Sequence, residues 1–195
     1  DELRTLLGIS ESNEWSKFEP GSAEDSLCLS RAHSLKRPTS KAEISAEFPH
    51  TAGIAPTGSS SSQEAFGRVL TEVSRNEAIR PYLVTTAPDV ATSTNLGGFI
   101  NRHGIFNKDV KREWNDNSIQ KWVESPNGQH IELGISEMNL FTLLGQLGIS
   151  GDISDQPLIP IGTVYDPFVL RGLDAFIYSV YSGAKFIVAA YKCFD

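Results

Sequence analysis

The chain has 195 residues, of which 39% are hydrophobic and 21% are charged, a composition typical of a globular protein with a substantial core. Its net charge of -7 argues against a general phosphate-backbone binder, so we expect no nucleic-acid partner, and its two cysteines exclude a disulfide framework or a cysteine zinc site. No apolar stretch reaches the roughly 18–20 residues that span a bilayer and no secretory signal is visible, which indicates a cytoplasmic protein without a membrane partner.

Residues 1–56 form a polar segment broken by glycine, proline and serine, which predicts a linker or extension. Two short helices are predicted within it, one near Leu3–Leu7 and one between Ala23 and Ser34. The run from Gly53 to Ser62 has the glycine spacing of a phosphate loop. It lacks the lysine and follows no apolar strand, so it predicts a flexible turn. Residues 57–195 are more regular and predict a second domain.

This second domain reads as strands alternating with helices. Ser61 and Glu64 have capping-box spacing, and apolar residues then recur at helical intervals over about 63–75. Short apolar runs predict strands at 82–86, 104–106, 130–134, 158–164 and 184–190. Further helices are predicted at 136–148 and 168–181, a loop at 95–100, and a polar segment at 111–128 that Trp114 and Trp122 anchor. The order predicts an α/β fold with a mostly parallel sheet and helices on both faces.

The last predicted strand is followed by very little chain. Its sequence FIVAA is typical of a central strand, and only YKCFD comes after it. A parallel sheet normally continues into a covering helix at such a point. We therefore expect a fragment whose domain is truncated at the C-terminus.

Most short motifs in the chain match common functional patterns only in part. His130-Ile131-Glu132 is half of a zinc deaminase motif without its cysteine partner, so it is interpreted as a half-buried strand with His130 and Glu132 on one face. The glycines in NLGGF are a poor dinucleotide fingerprint, and no nucleophile elbow is present. No histidine belongs to a metal-ligand pattern, so we expect no metal ligands in this chain.

Glu137 is the most informative residue, because it begins a strongly apolar helix directly after a Gly-Ile-Ser turn. One interpretation is structural: Ser136 caps the helix, and a carboxylate in the first turn is favoured by the helix dipole by about 0.3–1 kcal/mol. The other is that an acid among apolar groups is the working group of a site. The aromatic pair Tyr165 and Phe168 likewise fits either a core contact or a ligand shelf.

The order of all these pieces resembles the pyrimidine-binding domain of the transketolase-like thiamine diphosphate enzymes. The resemblance covers roughly residues 57–189 and is greatest to the homodimeric pyruvate dehydrogenase decarboxylase components and the transketolase-like proteins near them. Residues 134–137 correspond to the family's glycine-x-x-glutamate turn. The matching segments are SSSQEAFGRVL, VTTAPDVATSTNLGGFINRHGIF, GQHIELGISEMNLF and PIGTVYDPFVLRGLDAFIYSVYSGAKFIVA.

The resemblance assigns roles to four residues. Glu137 would hydrogen-bond the pyrimidine nitrogen of thiamine diphosphate and promote its imino form, Phe168 would stack on the ring, Tyr165 would line the pocket and Asp89 would lie at its rim. The family holds the diphosphate and Mg²⁺ on a separate domain, which this chain lacks. The resemblance therefore implies a homodimer or a partner diphosphate-binding domain, and a chain that is inactive alone.

Three functions stay open at this stage. The first is decarboxylation of a 2-oxo acid such as pyruvate with transfer to a lipoyl acceptor. The second is ketol transfer between sugar phosphates, for which Arg102 and Arg171 are the nearby cations. The third is a non-catalytic dimerisation module.

Overall fold

The computed structural model describes residues 2–10, 17–39, 43–50, 58–109 and 122–192. Residues 53–57 of the predicted flexible turn and Trp114 lie outside these ranges. The chain divides into two compact units, Asp1–Arg37 and Pro38–Asp195. The first unit contains helices α1 (Glu2–Leu7) and α2 (Ala23–Ser34), both at the predicted places.

The second unit is built on a six-stranded sheet whose strands all run parallel. The strands lie in the order β3-β2-β4-β1-β5-β6. Their bounds are β1 Leu83–Pro88, β2 Ile105–Phe106, β3 Glu124–Ser125, β4 His130–Leu133, β5 Ile159–Tyr165 and β6 Ile187–Tyr191. The predicted α/β fold with a parallel sheet is confirmed.

Helices cover both faces of this sheet. They are α3 (Ser62–Val73), α4 (Gly97–His103), α5 (Glu137–Gly148), α6 (Ser150–Ser154), α7 (Asp166–Val169) and α8 (Leu173–Tyr181). Successive residues of a strand point to opposite faces, and β5 illustrates this. Ile161 packs into one apolar cluster with residues of α3 and α4, whereas Gly162 lies against leucines of α5. The cores on the two faces are therefore separate.

Two helices differ from the sequence prediction. The stretch 95–100 was predicted as a loop because of its glycines, but α4 begins at Gly97. Phe99 and Ile100 are fully buried there, and a Cβ on Gly98 would lie 2.8 Å from the Thr71 hydroxyl of α3. Close packing between two helices thus outweighs the low helix propensity of glycine.

The single helix predicted over 168–181 is broken into α7, a 3₁₀ turn and α8. The turn spans Leu170–Gly172 and contacts the beginning of α5. Within the described residues, no helix has both the length and the apolar character needed to cross a bilayer.

Candidate functional site

The candidate residues lie where strands β1, β4 and β5 end, at the carboxyl edge of the sheet. The chain leaves β1 towards α4 on one face, whereas it leaves the flanking strands β4 and β5 towards α5 and α7 on the other. Adjacent strands with connections on opposite faces create a crevice, and parallel α/β sheets bind ligands at such switch points. Asp89 follows β1, Glu137 follows β4, and Tyr165 and Phe168 come at and after the end of β5.

Glu137 is the first residue of α5 and is almost completely buried, with 6% of its side chain exposed. Ser136 is the N-cap: its hydroxyl accepts a hydrogen bond from the Asn139 backbone N–H at 3.3 Å. The predicted cap is confirmed. A capped helix needs no carboxylate from Glu137 at that position, so burial of the acid calls for a different partner.

That partner is Arg171, in the 3₁₀ turn after α7. A terminal guanidinium nitrogen of Arg171 lies 3.5 Å from Glu137 Oε1. The same guanidinium lies over the ring of Phe168, with Cζ 4.3 Å from the ring centroid. The structure therefore brings Glu137 and Phe168 to two sides of one planar cation. Phe168 is itself half-buried against the apolar cluster of α5.

Gly172 allows this turn to approach α5 closely. A Cβ at this position would lie 2.5 Å from the Glu137 carbonyl oxygen and would also overlap the ring of Phe141. The backbone φ of Gly172 is -114°, which any residue can adopt. Lack of space, and not backbone conformation, therefore requires glycine here.

Tyr165 is the last residue of β5 and is half-buried. It pairs in register with Tyr191 of β6. Strand alternation places it on the face of Ile161, opposite the face that α5 covers. Tyr165 thus belongs to the same edge as Glu137 and Phe168, but its side chain leaves β5 towards the α3–α4 face.

Asp89 lies in another part of the edge. It follows Pro88 of β1 with a φ of 60°, a left-handed conformation that aspartate tolerates better than most residues. With Glu132 and Trp122 it lines a pocket of about 270 Å³. Asp89 is therefore grouped with a second carboxylate, while Glu137 is grouped with a cation.

Glu132 belongs to a hydrogen-bonded chain on the α3–α4 face of the sheet. Its Oε2 lies 2.9 Å from His130 Nε2, and His130 Nδ1 lies 2.8 Å from the Thr85 hydroxyl. His130 is fully buried, so both ring nitrogens are satisfied within the protein. The strand interpretation of His130 and Glu132, on one face of β4, is confirmed. In the described part of the chain, no group of three histidine, cysteine or acidic side chains could hold a metal ion.

The sequence singles out Glu137 and Phe168 but does not indicate the contact that joins them. In the sequence, Arg171 is only a cation near a possible substrate channel, and nothing marks Gly172. An arginine and a glycine within four residues of the aromatic residue were the available signal, but their partner Glu137 lies 34 residues earlier. No protein-family model matches this sequence, and no curated protein matches it at a significant level.

Proposed function

We propose that this chain is the pyrimidine-binding half of a thiamine diphosphate-dependent enzyme that acts on a 2-oxo acid such as pyruvate. The observation that carries the proposal is the buried carboxylate of Glu137 beside the ring of Phe168, at a switch point of a parallel sheet. An acid and an aromatic face at adjacent positions are what an aminopyrimidine requires. Ketol transfer between sugar phosphates and a non-catalytic module stay as alternatives.

The described side chains fit a pyrimidine ring. The space between Glu137 and Phe168 already holds one flat, nitrogen-rich group, the guanidinium of Arg171. A pyrimidine with an exocyclic amine has a similar planar shape and also offers nitrogen atoms at its edge. Stacking on Phe168 would orient its plane, and Glu137 would exchange a proton with its ring nitrogen.

When bound, thiamine diphosphate would supply a nucleophilic carbon for chemistry at the substrate carbonyl. Glu137 would hold a proton at its carboxyl oxygen, and its buried position would keep bulk water away from that proton. Phe168 would fix the ring. Tyr165 and Asp89 lie towards the α3–α4 side of the same edge, so they would contribute only to the outer rim of the site. The diphosphate and Mg²⁺ remain assigned to a separate domain, so the chain alone should bind the whole cofactor weakly.

An exposed apolar face of α8 supports a partner subunit. The inner face of this helix packs on α5, where the Phe176 and Phe141 rings lie 5.3 Å apart. The outer face exposes Ile177, and exposes 71% of Tyr178 and 86% of Tyr181. A group of large apolar side chains exposed together on one helix face is normally covered by a partner. We propose a second copy of the chain or a diphosphate-binding domain as its cover.

The proposal is tested with a free ring, 4-amino-2-methylpyrimidine, titrated into the full chain by ligand-observed NMR. A ligand of this size that uses about 0.5 kcal/mol per heavy atom binds in the millimolar range. Glu137→Met removes the polar contact at nearly constant length and should abolish binding. Glu72→Met, on α3, removes an acid that likewise pairs with an arginine, Arg75 at 3.2 Å, and is the matched control that should bind as the parent does.

Equal loss of binding in the Glu137 and Glu72 variants, or no binding by the parent, would refute the assigned site. Two further results decide between the functions. With a partner diphosphate domain added, turnover of pyruvate but not of xylulose phosphate supports the 2-oxo acid. The absence of turnover with any substrate, together with self-association, favours the dimerisation module.

A further inference from the structure

The Glu137–Arg171–Phe168 contact occupies the space that the proposed function needs for a ligand. A ring that hydrogen-bonds Glu137 and stacks on Phe168 must lie where the guanidinium of Arg171 lies, because that group is within 3.5 Å of the carboxylate and 4.3 Å of the ring centroid. The two cannot be present together. Arg171 must therefore leave before a pyrimidine can enter.

Arg171 is able to leave. Its side chain is 56% exposed, whereas only 6% of the Glu137 side chain is exposed. The arginine can rotate into solvent, where its charge is well hydrated, while the glutamate has no comparable exit. Only the arginine half of the two contacts is solvated, and the buried Glu137 needs a new partner when Arg171 leaves, which the N–H groups of an incoming aminopyrimidine provide.

We propose that Arg171 is an internal competitor of the ligand, a side chain that fills the site and screens the buried Glu137 carboxylate until a planar aminopyrimidine displaces it. This inference rests on the proposed function and adds its regulation. The guanidinium imitates the ligand, since it is flat, carries N–H donors at its edge and presents a face to Phe168. The site therefore stays paired and covered without cofactor, and it opens without backbone motion.

The competition has a measurable cost. When a fraction of the molecules is closed, the apparent association constant for the ligand equals the intrinsic constant multiplied by the fraction that is open. Because the arginine half of both contacts is solvated, removal of the competitor should tighten binding about three- to tenfold. A higher salt concentration should also tighten ligand binding by the parent, because it screens the ion pair between Arg171 and Glu137.

The test uses 4-amino-2-methylpyrimidine as the probe and the full chain as the protein. Arg171→Ala should bind the probe about three- to tenfold more tightly than the parent, with a dissociation constant that does not change with salt. Arg171→Lys, which keeps the charge but loses the flat face, should lie between the two. Arg75→Ala is the matched control, because Arg75 is 57% exposed and pairs with Glu72 at 3.2 Å on α3.

A second readout follows the arginine itself. The Nε–H signal of Arg171 should exchange faster with water after the pyrimidine is added, because the guanidinium moves into solvent. Unchanged or weaker binding by Arg171→Ala, while Glu137→Met still abolishes binding, overturns the competitor and leaves the proposed function intact. Binding by none of the variants, the parent included, overturns both.

Discussion

Replacing Gly172 by alanine tests the contact that holds the site together. The added Cβ would lie 2.5 Å from the Glu137 carbonyl oxygen and would overlap the ring of Phe141, both of them groups of a buried helix that cannot move freely. Overpacking of this kind costs about 1–3 kcal/mol. For a chain of this size, the melting temperature should fall by about 2–12 °C.

The matched control is Gly134→Ala, on the other side of Glu137, where a Cβ meets open space. Its free energy of unfolding, measured in urea, should stay within about 0.5 kcal/mol of the parent. The Gly172 variant should also lose pyrimidine binding, because the ring of Phe168, just before this turn, is pushed away from Glu137 at the beginning of α5. Equal stability of the two variants would refute the reasoning that lack of space selects glycine at this position.

Three other predictions concern groups outside the site. Burial, with Arg102 and Arg80 nearby, lowers the pKa of His103 to about 4. Between pH 4 and 6.5 the unfolded chain therefore binds a proton that the folded chain does not, and the free energy of unfolding rises with pH by at most about 1.4 kcal/mol per pH unit. His103→Gln should remove this slope in urea titrations at several pH values, and an unchanged slope would contradict the prediction. Burial raises the pKa of Tyr191 to about 12, and its hydroxyl has no hydrogen-bond partner in the described structure. Tyr191→Phe should therefore add about 1 kcal/mol to the free energy of unfolding and remove the loss of stability between pH 10 and 12. A variant less stable than the parent would contradict the absence of a partner. We expect the chain to self-associate through the outer face of α8 in sedimentation experiments, and Ile177→Asp should abolish this association with little change in melting temperature. A parent that stays monomeric, or a variant that associates as the parent does, would remove this face from a self-interface.

Much of the fold could be predicted from local signals. Serine caps at Ser61 and Ser136 and the apolar periods after them predicted α3 and α5 to within two residues. The short branched runs predicted most strands, and their alternation with helices predicted a parallel sheet. The prediction failed at α4 and at the break before α8, where glycines meet a neighbouring helix. In both places packing against a helix from a distant part of the chain decides the structure, so the local sequence carries no signal of that helix.

The candidate site divides in the same way. That Glu137 begins an apolar helix and that Phe168 follows a strand are properties of short stretches of sequence, since caps and periodicity act within a few residues. That Arg171 lies between them was decided only by the tertiary structure, because the two stretches meet across the space that Gly172 leaves open. The physical reason is range: hydrogen bonds of a helix cap span three residues, whereas the ion pair depends on how β4 and β5 lie on either side of β1.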